Sequence, residues 1–537
     1  MFRLTLRTAL GPVLLLAAAA ATYGALPAQI QTQSGAVEGM PSADGKVQVF
    51  EGIPFAAPPV GKLRWQAPQP AAAWEGVRKA TTFGARCMQA PIYSDMIFRD
   101  SGPSEDCLYL NVWTPATSAS AKLPVMVWIY GGGFAAGASS EPRQDGSKLA
   151  EKGVVVVSMN YRLGIFGFFA HPELTKESPQ HASGNYGLMD QAAALDWVHK
   201  NIAAFGGDPD KVTIFGESAG SISVCAQMAS PLSKNLIKGA IGESGSLFML
   251  IAPTMPLEET ERQGSRFATA VGAADLDALR AMPAKELLDT AQQHRADFRF
   301  WPNVDGYFLP ESPKEIFAQG KQAHVALLAG WNTDEQSAAA FFGKEPQTIE
   351  NYTAKIKTLY GEHAQDMLKL YPAVTEMEMK ESAGALAGDR FIAYSTWKWL
   401  DEQLKTGDSD VYRYHFEQAP PQPEGKPSRG AYHSADIEYV FETLDSKDLP
   451  WTNADRKLSD MISSYWTNFA KKGDPNGAGL PKWPKNTKKN GYELMHLVQS
   501  TSVTPHAAKD TVRPRYQMLE KIAEGQANGG AAGSSNR

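Results

Sequence analysis

A serine lies in a segment whose small residues suit a sharp turn. Residues 216–220 read Gly-Glu-Ser-Ala-Gly, which matches the pattern G-x-S-x-G. The apolar run at 212–215 predicts a strand before this segment, and the apolar stretch at 219–228 predicts a helix after it. Glycines relieve crowding in a strand-to-helix turn, so the Ser218 hydroxyl can project toward a substrate. Because the chain has 47 glycines, the setting carries more weight than the pattern, and it favours a nucleophilic serine over a helix-capping one.

A second glycine-rich segment could stabilise the negative charge that a nucleophilic serine creates. Residues 130–134 read Tyr-Gly-Gly-Gly-Phe and follow the predicted strand at 125–129. Backbone N–H groups that no side chain obstructs are suitable donors for an oxyanion. A phosphate-binding loop is the alternative, but neither G-x-x-x-x-G-K-[ST] nor G-x-G-x-x-G fits this segment. We therefore predict that Gly132, Gly133 and Ala219 donate their N–H groups to an oxyanion.

A nucleophilic serine also needs a base, and histidine is the usual one. Seven of the ten histidines follow Ser218, as the order serine, acid, histidine requires. His433 lies in a polar loop after the predicted strand at 411–416, whereas His415 lies within that strand and His324 lies just before another. Because catalytic groups gather in loops beyond the carboxyl ends of strands, His433 is the preferred candidate.

The acid that orients the base has two candidates at one place. Asp334 and Glu335 both follow the predicted strand at 325–328, so both occupy the kind of loop in which His433 lies. Their spacing from the strand does not show which of the two residues is the acid. Either residue could equally be an ordinary charged loop residue.

The elements that would position these residues alternate between strands and helices. Continuous apolar, β-branched runs are typical of strands that are covered on both faces of a mainly parallel sheet. No Pro/Gly/Ser-rich linker interrupts residues 30–515, which favours one large α/β domain with a central, mostly parallel, twisted sheet and helices on both faces. The predicted strands are 125–129, 154–157, 212–215, 325–328 and 411–416, and the predicted helices are 190–202, 219–228 and 457–471.

Composition excludes several classes of protein. Of the 537 residues, 43 % are hydrophobic and 20 % are charged, which is typical of a globular chain and not of a disordered one. The formal net charge of −6, without blocks of like charge, argues against a nucleic-acid partner. Three cysteines exclude a disulfide-dense scaffold and leave room for one bridge.

The two ends of the chain differ from the rest. Arg3 and Arg7 precede an almost wholly apolar run at 9–21, which small residues follow, so residues 1–25 are predicted to be a secretory signal peptide. The run is too short for a stable membrane anchor, and we expect the mature protein to be secreted or periplasmic. Residues 525–537 contain mainly Gly, Ala, Ser and Asn and are predicted to form a flexible tail.

Taken together, the motifs resemble the type-B carboxylesterase and cholinesterase family. The resemblance covers nearly the whole chain and rests on many motifs in a fixed order. Besides the segments at 130–134 and 216–220, these are Gly330-Trp331-Asn332-Thr333-Asp334-Glu335, Gly430-Ala431-Tyr432-His433, Glu51-Gly52-Ile53-Pro54-Phe55-Ala56, Ser104-Glu105-Asp106-Cys107-Leu108-Tyr109-Leu110-Asn111-Val112, Asn160-Tyr161-Arg162, residues 184–191 and residues 465–469.

The resemblance implies a fold, an activity and roles for individual residues. The fold is the α/β-hydrolase fold, and the expected activity is hydrolysis of a small-molecule ester by a serine esterase without a cofactor or metal. Ser218, Glu335 and His433 would form the triad, which settles the acid as Glu335. Gly132, Gly133 and Ala219 would form the oxyanion hole. Cys87 and Cys107 would form the family's N-terminal disulfide, leaving Cys225 as a free, buried thiol.

Two positions depart from the family pattern. Ile97 stands where cholinesterases carry an aromatic residue, usually Trp, that holds a quaternary ammonium, so a choline ester is not expected. Gln336 stands where family members commonly have Gly, and we expect only a local difference in the loop. The adhesion proteins of this fold lack the serine that this chain retains, so a binding module is the alternative that we favour less.

The substrate is less well defined by the sequence than the reaction. An amidase or a lactonase would differ from an esterase only in the leaving group. Six aromatic residues could wall a pocket for apolar or aromatic esters, or they could simply pack in the core. They are Phe134, Phe298, Phe300, Trp301, Phe341 and Phe342.

Overall fold

The computed structural model describes residues 26–533, and the side chains of residues 26–525. The predicted signal peptide, residues 1–25, therefore lies outside the described residues, as do residues 534–537 of the predicted tail. The strands in chain order are β1 (Gln29–Gln31), β2 (Ala36–Glu38), β3 (Met40–Pro41), β4 (Gln48–Pro54), β5 (Val77–Lys79), β6 (Arg86–Cys87), β7 (Pro103–Ser104), β8 (Tyr109–Thr114), β9 (Leu123–Ile129), β10 (Val155–Met159), β11 (Gly207–Glu217), β12 (Gly239–Glu243), β13 (Met255–Pro256), β14 (Asn303–Val304), β15 (Ala326–Asn332), β16 (Val411–Phe416), β17 (Leu494–Leu497) and β18 (His506–Ala508).

Helices fill the connections between these strands. A π-helical turn, Asp389–Ala393, joins two of them. The α-helices are α1 (Ser147–Glu151), α2 (Gly164–Phe168), α3 (Pro172–Glu177), α4 (Tyr186–Asn201), α5 (Ala219–Ala229), α6 (Leu257–Ala270), α7 (Leu276–Ala281), α8 (Ala284–Gln293), α9 (Pro313–Ala318), α10 (Ala338–Phe342), α11 (Ile349–Tyr360), α12 (Ala364–Leu370), α13 (Glu376–Gly388), α14 (Tyr394–Thr406), α15 (Ile437–Phe441), α16 (Asn453–Lys472) and α17 (Arg513–Gly533).

Eleven strands form one sheet, in the order β18-β17-β16-β15-β12-β11-β9-β10-β8-β4-β3. The seven central strands, from β10 to β17, are parallel to one another, and the outer strands pair antiparallel. The sheet is therefore mostly parallel, as predicted. The carboxyl ends of its central strands lie at one edge, where loops from distant parts of the chain can meet.

Helices cover both faces of this sheet, which explains why its strands are continuously apolar. All five residues of β10 are buried, and so are the last five residues of β9. On β12, a side chain at Gly239 would meet Phe469 of α16, whereas one at Gly242 would meet Trp399 of α14. Because residues three apart on a strand point to opposite faces, α16 and α14 lie on opposite sides of the sheet.

The last helix extends beyond the predicted end of the domain at residue 515. Tyr516, Leu519 and Ile522 of α17 are buried against the core. Trp331 packs edge-to-face on Tyr516, with 5.4 Å between the ring centroids. The helix continues to Gly533, so the first nine residues of the predicted flexible tail are helical in the structure.

One disulfide bond joins Cys87 to Cys107, the pair that the family resemblance implies. Cys225 on α5 is free and buried, and burial raises the pKa of its thiol. Across residues 26–533, we find no helix that combines the length and the apolar character needed to cross a bilayer.

Candidate active site

Ser218 lies at the sharp turn between β11 and α5. Its backbone has φ 55° and ψ −120°, a conformation that non-glycine residues rarely adopt. The flanking glycines are required because a Cβ atom at Gly216 would lie 2.5 Å from the carbonyl oxygen of Ile129, and one at Gly220 would lie 1.9 Å from it. The G-x-S-x-G pattern is thus explained by the close approach of β9 to both sides of the turn.

His433 reaches Ser218 from a loop 215 residues away in sequence. Its Nε2 lies 2.9 Å from the Ser218 Oγ, and its Nδ1 lies 2.6 Å from Oε2 of Glu335. Phe391, from the π-helical turn, packs edge-to-face on the imidazole with 5.1 Å between the ring centroids. The structure therefore brings together the three residues predicted as a triad, in the order serine, histidine, carboxylate.

Three groups contact the Glu335 carboxylate and fix its orientation. One oxygen, Oε2, faces His433. The other, Oε1, accepts a hydrogen bond of 2.5 Å from the Ser244 hydroxyl and one of 2.8 Å from the Asn332 backbone N–H. The carboxylate is almost fully buried, with 1 % of its side chain exposed. These two hydrogen bonds hold Oε1 in place and leave Oε2 directed at His433.

Asp334, the other candidate acid, has a different place. Its backbone N–H donates to the carbonyl oxygen of Ala431, and its Oδ2 accepts from the Ala431 N–H at 2.8 Å. Asp334 thus joins the loop that carries Glu335 to the loop that carries His433. The structure shows no hydrogen bond from Asp334 to His433 among the described residues.

The three predicted oxyanion donors surround Ser218. Gly132 and Gly133 have φ values of 114° and 63°, which favour glycine, and a Cβ atom at Gly132 would lie 2.1 Å from the carbonyl oxygen of Ala136. Within the described chain, the N–H groups of Gly132, Gly133 and Ala219 donate no hydrogen bond. All three residues line the same cavity as Ser218 and His433.

A second buried carboxylate, Glu217, lies beside the imidazole. Its Oε1 lies 3.4 Å from His433 Nε2 and has no hydrogen-bond partner among the described residues. Burial raises the pKa of Glu217 to about 8, against the opposing effect of His433. Burial alone would lower the pKa of His433, but the negative charges of Glu217 and Glu335 outweigh it and raise the pKa to about 9.

The cavity above Ser218 has a volume of about 520 Å³. Of the six aromatic residues predicted as possible pocket walls, Trp301 lines it, while Phe134 is fully buried between Phe168 and Trp301. Phe341 and Phe342 pack on each other and on Tyr352. The larger apolar side chains of the lining are Met96, Ile222, Met249, Ile251, Trp301, Phe391 and Ile392.

The disulfide loop forms one side of this cavity. Tyr93 and Met96 lie between Cys87 and Cys107 and line the cavity. Ile97, which stands where cholinesterases carry an aromatic residue, is 65 % exposed. Gln336, the second departure from the family pattern, lines the cavity next to Glu335.

Three residues with contacts at the site are absent from the sequence-based prediction. Ser244 follows β12, whose sequence Gly-Ala-Ile-Gly-Glu lacks the β-branched run of the other central strands. Phe391 lies in a π-helical turn, which has no sequence pattern of its own. Glu217 lies within the predicted motif, but at a position that the pattern G-x-S-x-G leaves open, so its contact with His433 is visible only in the structure.

Comparisons with known proteins agree with this geometry. The model of the carboxylesterase family matches residues 27–515. The chain is 39 % identical to fumonisin B1 esterase from Sphingopyxis macrogoltabida over 470 residues, which is 84 % of each protein. It is 38 % identical to para-nitrobenzyl esterase from Bacillus subtilis (strain 168), over 85 % of this chain and 92 % of the relative.

A solved structure has the same fold. A structure of PNB esterase superposes with a TM-score of 0.78 and 36 % sequence identity, over 91 % of this chain and 99 % of that one. The family match covers far more than half of the chain, and both relatives are esterases. The chain therefore belongs to the carboxylesterase family, and it is a carboxylic-ester hydrolase with the α/β-hydrolase fold.

Proposed function

We propose that Ser218, His433 and Glu335 hydrolyse the ester through an acyl-enzyme intermediate. The observation that carries this proposal is the unbroken hydrogen-bonded chain from Ser218 Oγ through both ring nitrogens of His433 to Glu335. A serine hydroxyl is a weak nucleophile until an adjacent base takes its proton. This chain of contacts supplies the base and the acid that orients it.

The first half of the reaction acylates the serine. As Ser218 Oγ attacks the ester carbonyl carbon, its proton moves to His433 Nε2. Glu335 holds the Nδ1–H tautomer and stabilises the imidazolium that forms. The imidazolium then gives the proton to the leaving alcohol oxygen, and the bond between the carbonyl carbon and that oxygen breaks.

The second half repeats these steps with water. His433 takes a proton from the water that attacks the acyl group and returns it to Ser218 Oγ, so the acid leaves and the serine is regenerated. In both halves the carbonyl oxygen becomes negatively charged. The N–H groups of Gly132, Gly133 and Ala219 are the proposed donors to it, and each such donor is typically worth about 10²- to 10³-fold in rate.

The decisive experiment replaces the nucleophile. Ser218→Ala is expected to abolish hydrolysis of a para-nitrophenyl ester and covalent capture by an organophosphate, read by intact-protein mass. Ser120→Ala, at an exposed position that does not line the cavity, serves as the matched control and should be captured like the parent protein. Capture that persists in Ser218→Ala would assign the nucleophile to another residue.

The cavity supports an apolar or aromatic ester as substrate. Its walls include Met249, Ile251 and Phe391, which offer apolar surface without charge. Relatives are named for para-nitrobenzyl and fumonisin B1 substrates, so a para-nitrobenzyl ester and fumonisin B1 both belong in a screen that varies acyl and alcohol size. Paired ester and amide substrates in the same screen distinguish an esterase from an amidase.

One residue favours a second class of substrate, esters that carry a free carboxylate. Arg299 lines the cavity, its Cζ lies 3.8 Å from the ring centroid of Trp301, and it forms no ion pair with a carboxylate among the described residues. A guanidinium without an acidic partner can bind a substrate carboxylate. Arg299→Gln should raise KM for an ester with a carboxylate in its acyl group and leave KM for the matched neutral ester within about twofold.

We also propose that residues 1–25 are removed during export, leaving one hydrolase domain, which comprises residues 30–515 and the buried part of α17, in the periplasm or outside the cell. The disulfide between Cys87 and Cys107 supports this, because such bonds persist in oxidising compartments. Fractionation and the intact mass of the mature protein test the proposal. Full-length protein in the cytoplasmic fraction, with both cysteines reduced, would contradict it.

A further inference from the structure

Three side chains that are typical metal ligands converge outside the catalytic cavity. His415 on β16 and His496 on β17 are register partners, and Glu417 follows His415 by two residues. Glu417 Oε1 lies 3.0 Å from His415 Nδ1 and 2.5 Å from His496 Nδ1. One ligand atom from each residue lies within 4.8 Å of the other two. None of the three residues lines the cavity around Ser218.

The sheet itself holds these residues together. Register partners on adjacent parallel strands point to the same face, so the two histidines lie side by side. The Glu417 backbone N–H donates to the carbonyl oxygen of Leu497, which continues the pairing one residue beyond β16 and keeps Glu417 on that face. Trp331, the register partner of His415 on β15, packs edge-to-face on the His415 ring.

We propose that His415, Glu417 and His496 form a binding site for Zn²⁺ or a divalent transition-metal ion with the same ligand preference. Two imidazole nitrogens and one carboxylate oxygen are ligands that Zn²⁺ accepts, at bond lengths of about 2.0 to 2.2 Å. Mg²⁺ and Ca²⁺ prefer sites made of oxygen atoms alone, so this donor set selects against them. A solvent molecule would complete the coordination, because the three side chains are between 22 and 29 % exposed.

The two distances from Glu417 Oε1 to the histidine nitrogens are already close to those in a zinc site. Ligand atoms of a tetrahedral zinc site lie about 3.3 Å apart, so each distance between Nδ1 and Oε1 opens by less than about 1 Å. Each Nδ1 must also present a lone pair, which a neutral imidazole does by carrying its proton on Nε2. Nε2 of His496 is buried and has no hydrogen-bond partner in the described part of the chain, so a proton on this nitrogen would need a water molecule as its acceptor.

The position of the site gives the ion a structural role. Glu417 is the first residue of the loop that leads from β16 to His433, and His496 belongs to the neighbouring strand. An ion bound here would join the start of that loop to β17.

Calorimetric titration of the metal-free full chain with ZnCl₂ tests the proposal. We expect one ion to bind with a dissociation constant in the micromolar range or below, and His415→Ala and His496→Ala each to weaken binding at least about tenfold. MgCl₂ should give no saturable binding. His433→Ala should bind zinc like the parent protein, which excludes the catalytic histidine as the ligand.

His506 provides a matched control on the same face. Its ring stacks on His496 with 5.1 Å between centroids and an angle of 12°, while its Nδ1 faces the carbonyl oxygen of Thr504. It is therefore a neighbouring histidine outside the ligand set, and His506→Ala should change zinc affinity less than about threefold. Circular dichroism in metal-free buffer verifies that each variant is folded.

Glu417→Gln keeps the shape of the side chain and provides a second test if a histidine variant does not fold. It should weaken zinc binding at least about tenfold. The proposal is overturned if the parent protein shows no saturable zinc binding, or if both His496→Ala and Glu417→Gln bind zinc as the parent does. A loss in His506→Ala equal to that in His496→Ala would overturn the assignment of the ligands.

Discussion

Two histidine–carboxylate pairs lie near the carboxyl ends of adjacent strands in one sheet, and their surroundings differ. His433 meets Glu335 at 2.6 Å and directs its other ring nitrogen to a serine hydroxyl. His496 meets Glu417 at 2.5 Å, and its other ring nitrogen meets no hydrogen-bonding group among the described residues. The Glu335 side chain is 1 % exposed, whereas that of Glu417 is 29 % exposed.

Two similarly short contacts between imidazole and carboxylate thus lie in different surroundings, and we base their different proposed roles on those surroundings. The pair at Glu335 is buried, its carboxylate has two further donors, and its imidazole faces a nucleophile. The pair at Glu417 shares its carboxylate with a second imidazole and is open to solvent. One arrangement suits proton transfer, and the other suits binding of a cation.

Replacing the two histidines should give the largest difference in kcat. His433→Ala should lower kcat by about 10⁵- to 10⁶-fold, because the serine loses its base. His496→Ala should change kcat by less than about threefold while it weakens zinc binding. Steady-state kinetics with a para-nitrophenyl ester measure both variants. Similar losses in the two variants would remove the distinction between the pairs.

Replacing the two carboxylates should also lower kcat in one pair and not in the other, with a smaller loss than for the histidines. Glu335→Gln keeps the shape of the side chain but removes the charge that stabilises the imidazolium, and we expect kcat to fall by about 10⁴-fold. Glu417→Gln, the same chemical change in the exposed pair, should change kcat by less than about threefold. A loss of catalysis in Glu417→Gln comparable to that in Glu335→Gln would contradict this contrast.

Ser244→Ala tests how much the hydrogen bonds to Glu335 Oε1 contribute to catalysis. The variant removes a hydrogen bond to a buried, charged carboxylate, which is typically worth about 1.5 to 3 kcal/mol. We expect kcat to fall about tenfold or somewhat more, with KM little changed, because Ser244 positions Glu335 and does not touch the substrate. A change in KM alone would show that Ser244 acts on substrate binding.

The smallest effect expected concerns the pH profile. His433 must be neutral to act as a base, and its pKa is raised to about 9, so kcat/KM should rise with pH through that region. Glu217 has a pKa of about 8, so it is ionised when His433 titrates, and its charge favours the imidazolium. Glu217→Gln should therefore move the acid limb to lower pH. An unchanged or higher midpoint would refute this effect of Glu217.

The sequence provides candidates for those parts of the proposed site that follow central strands. Ser218 and His433 are candidates because each lies in a loop beyond the carboxyl end of a recognisable strand, and the structure places their side chains in contact. Glu335 could be separated from Asp334 only through the family resemblance, since the two are adjacent and differ in the direction of their side chains. The strands at 125–129, 212–215 and 411–416 correspond to β9, β11 and β16.

The remaining parts depend on contacts that no local pattern records. Ser244 reaches Glu335 across 91 residues of sequence, and Phe391 reaches His433 from a π-helical turn. Phe341 and Phe342 were predicted as possible pocket walls, yet they pack on Tyr352. The sequence does not distinguish these two places, because aromatic residues occur both in cores and in pocket walls. Long-range side-chain geometry thus decides which residues line the cavity.

The reciprocal bonds between Asp334 and Ala431 have a consequence for how this enzyme could diversify. They secure the chain immediately before His433, whereas residues 423–429 are exposed. Insertions or deletions at 423–429 would therefore change the chain only before the hydrogen bonds between Asp334 and Ala431. Evolution or engineering can therefore change the length of residues 423–429 without altering the contact between His433 and Ser218.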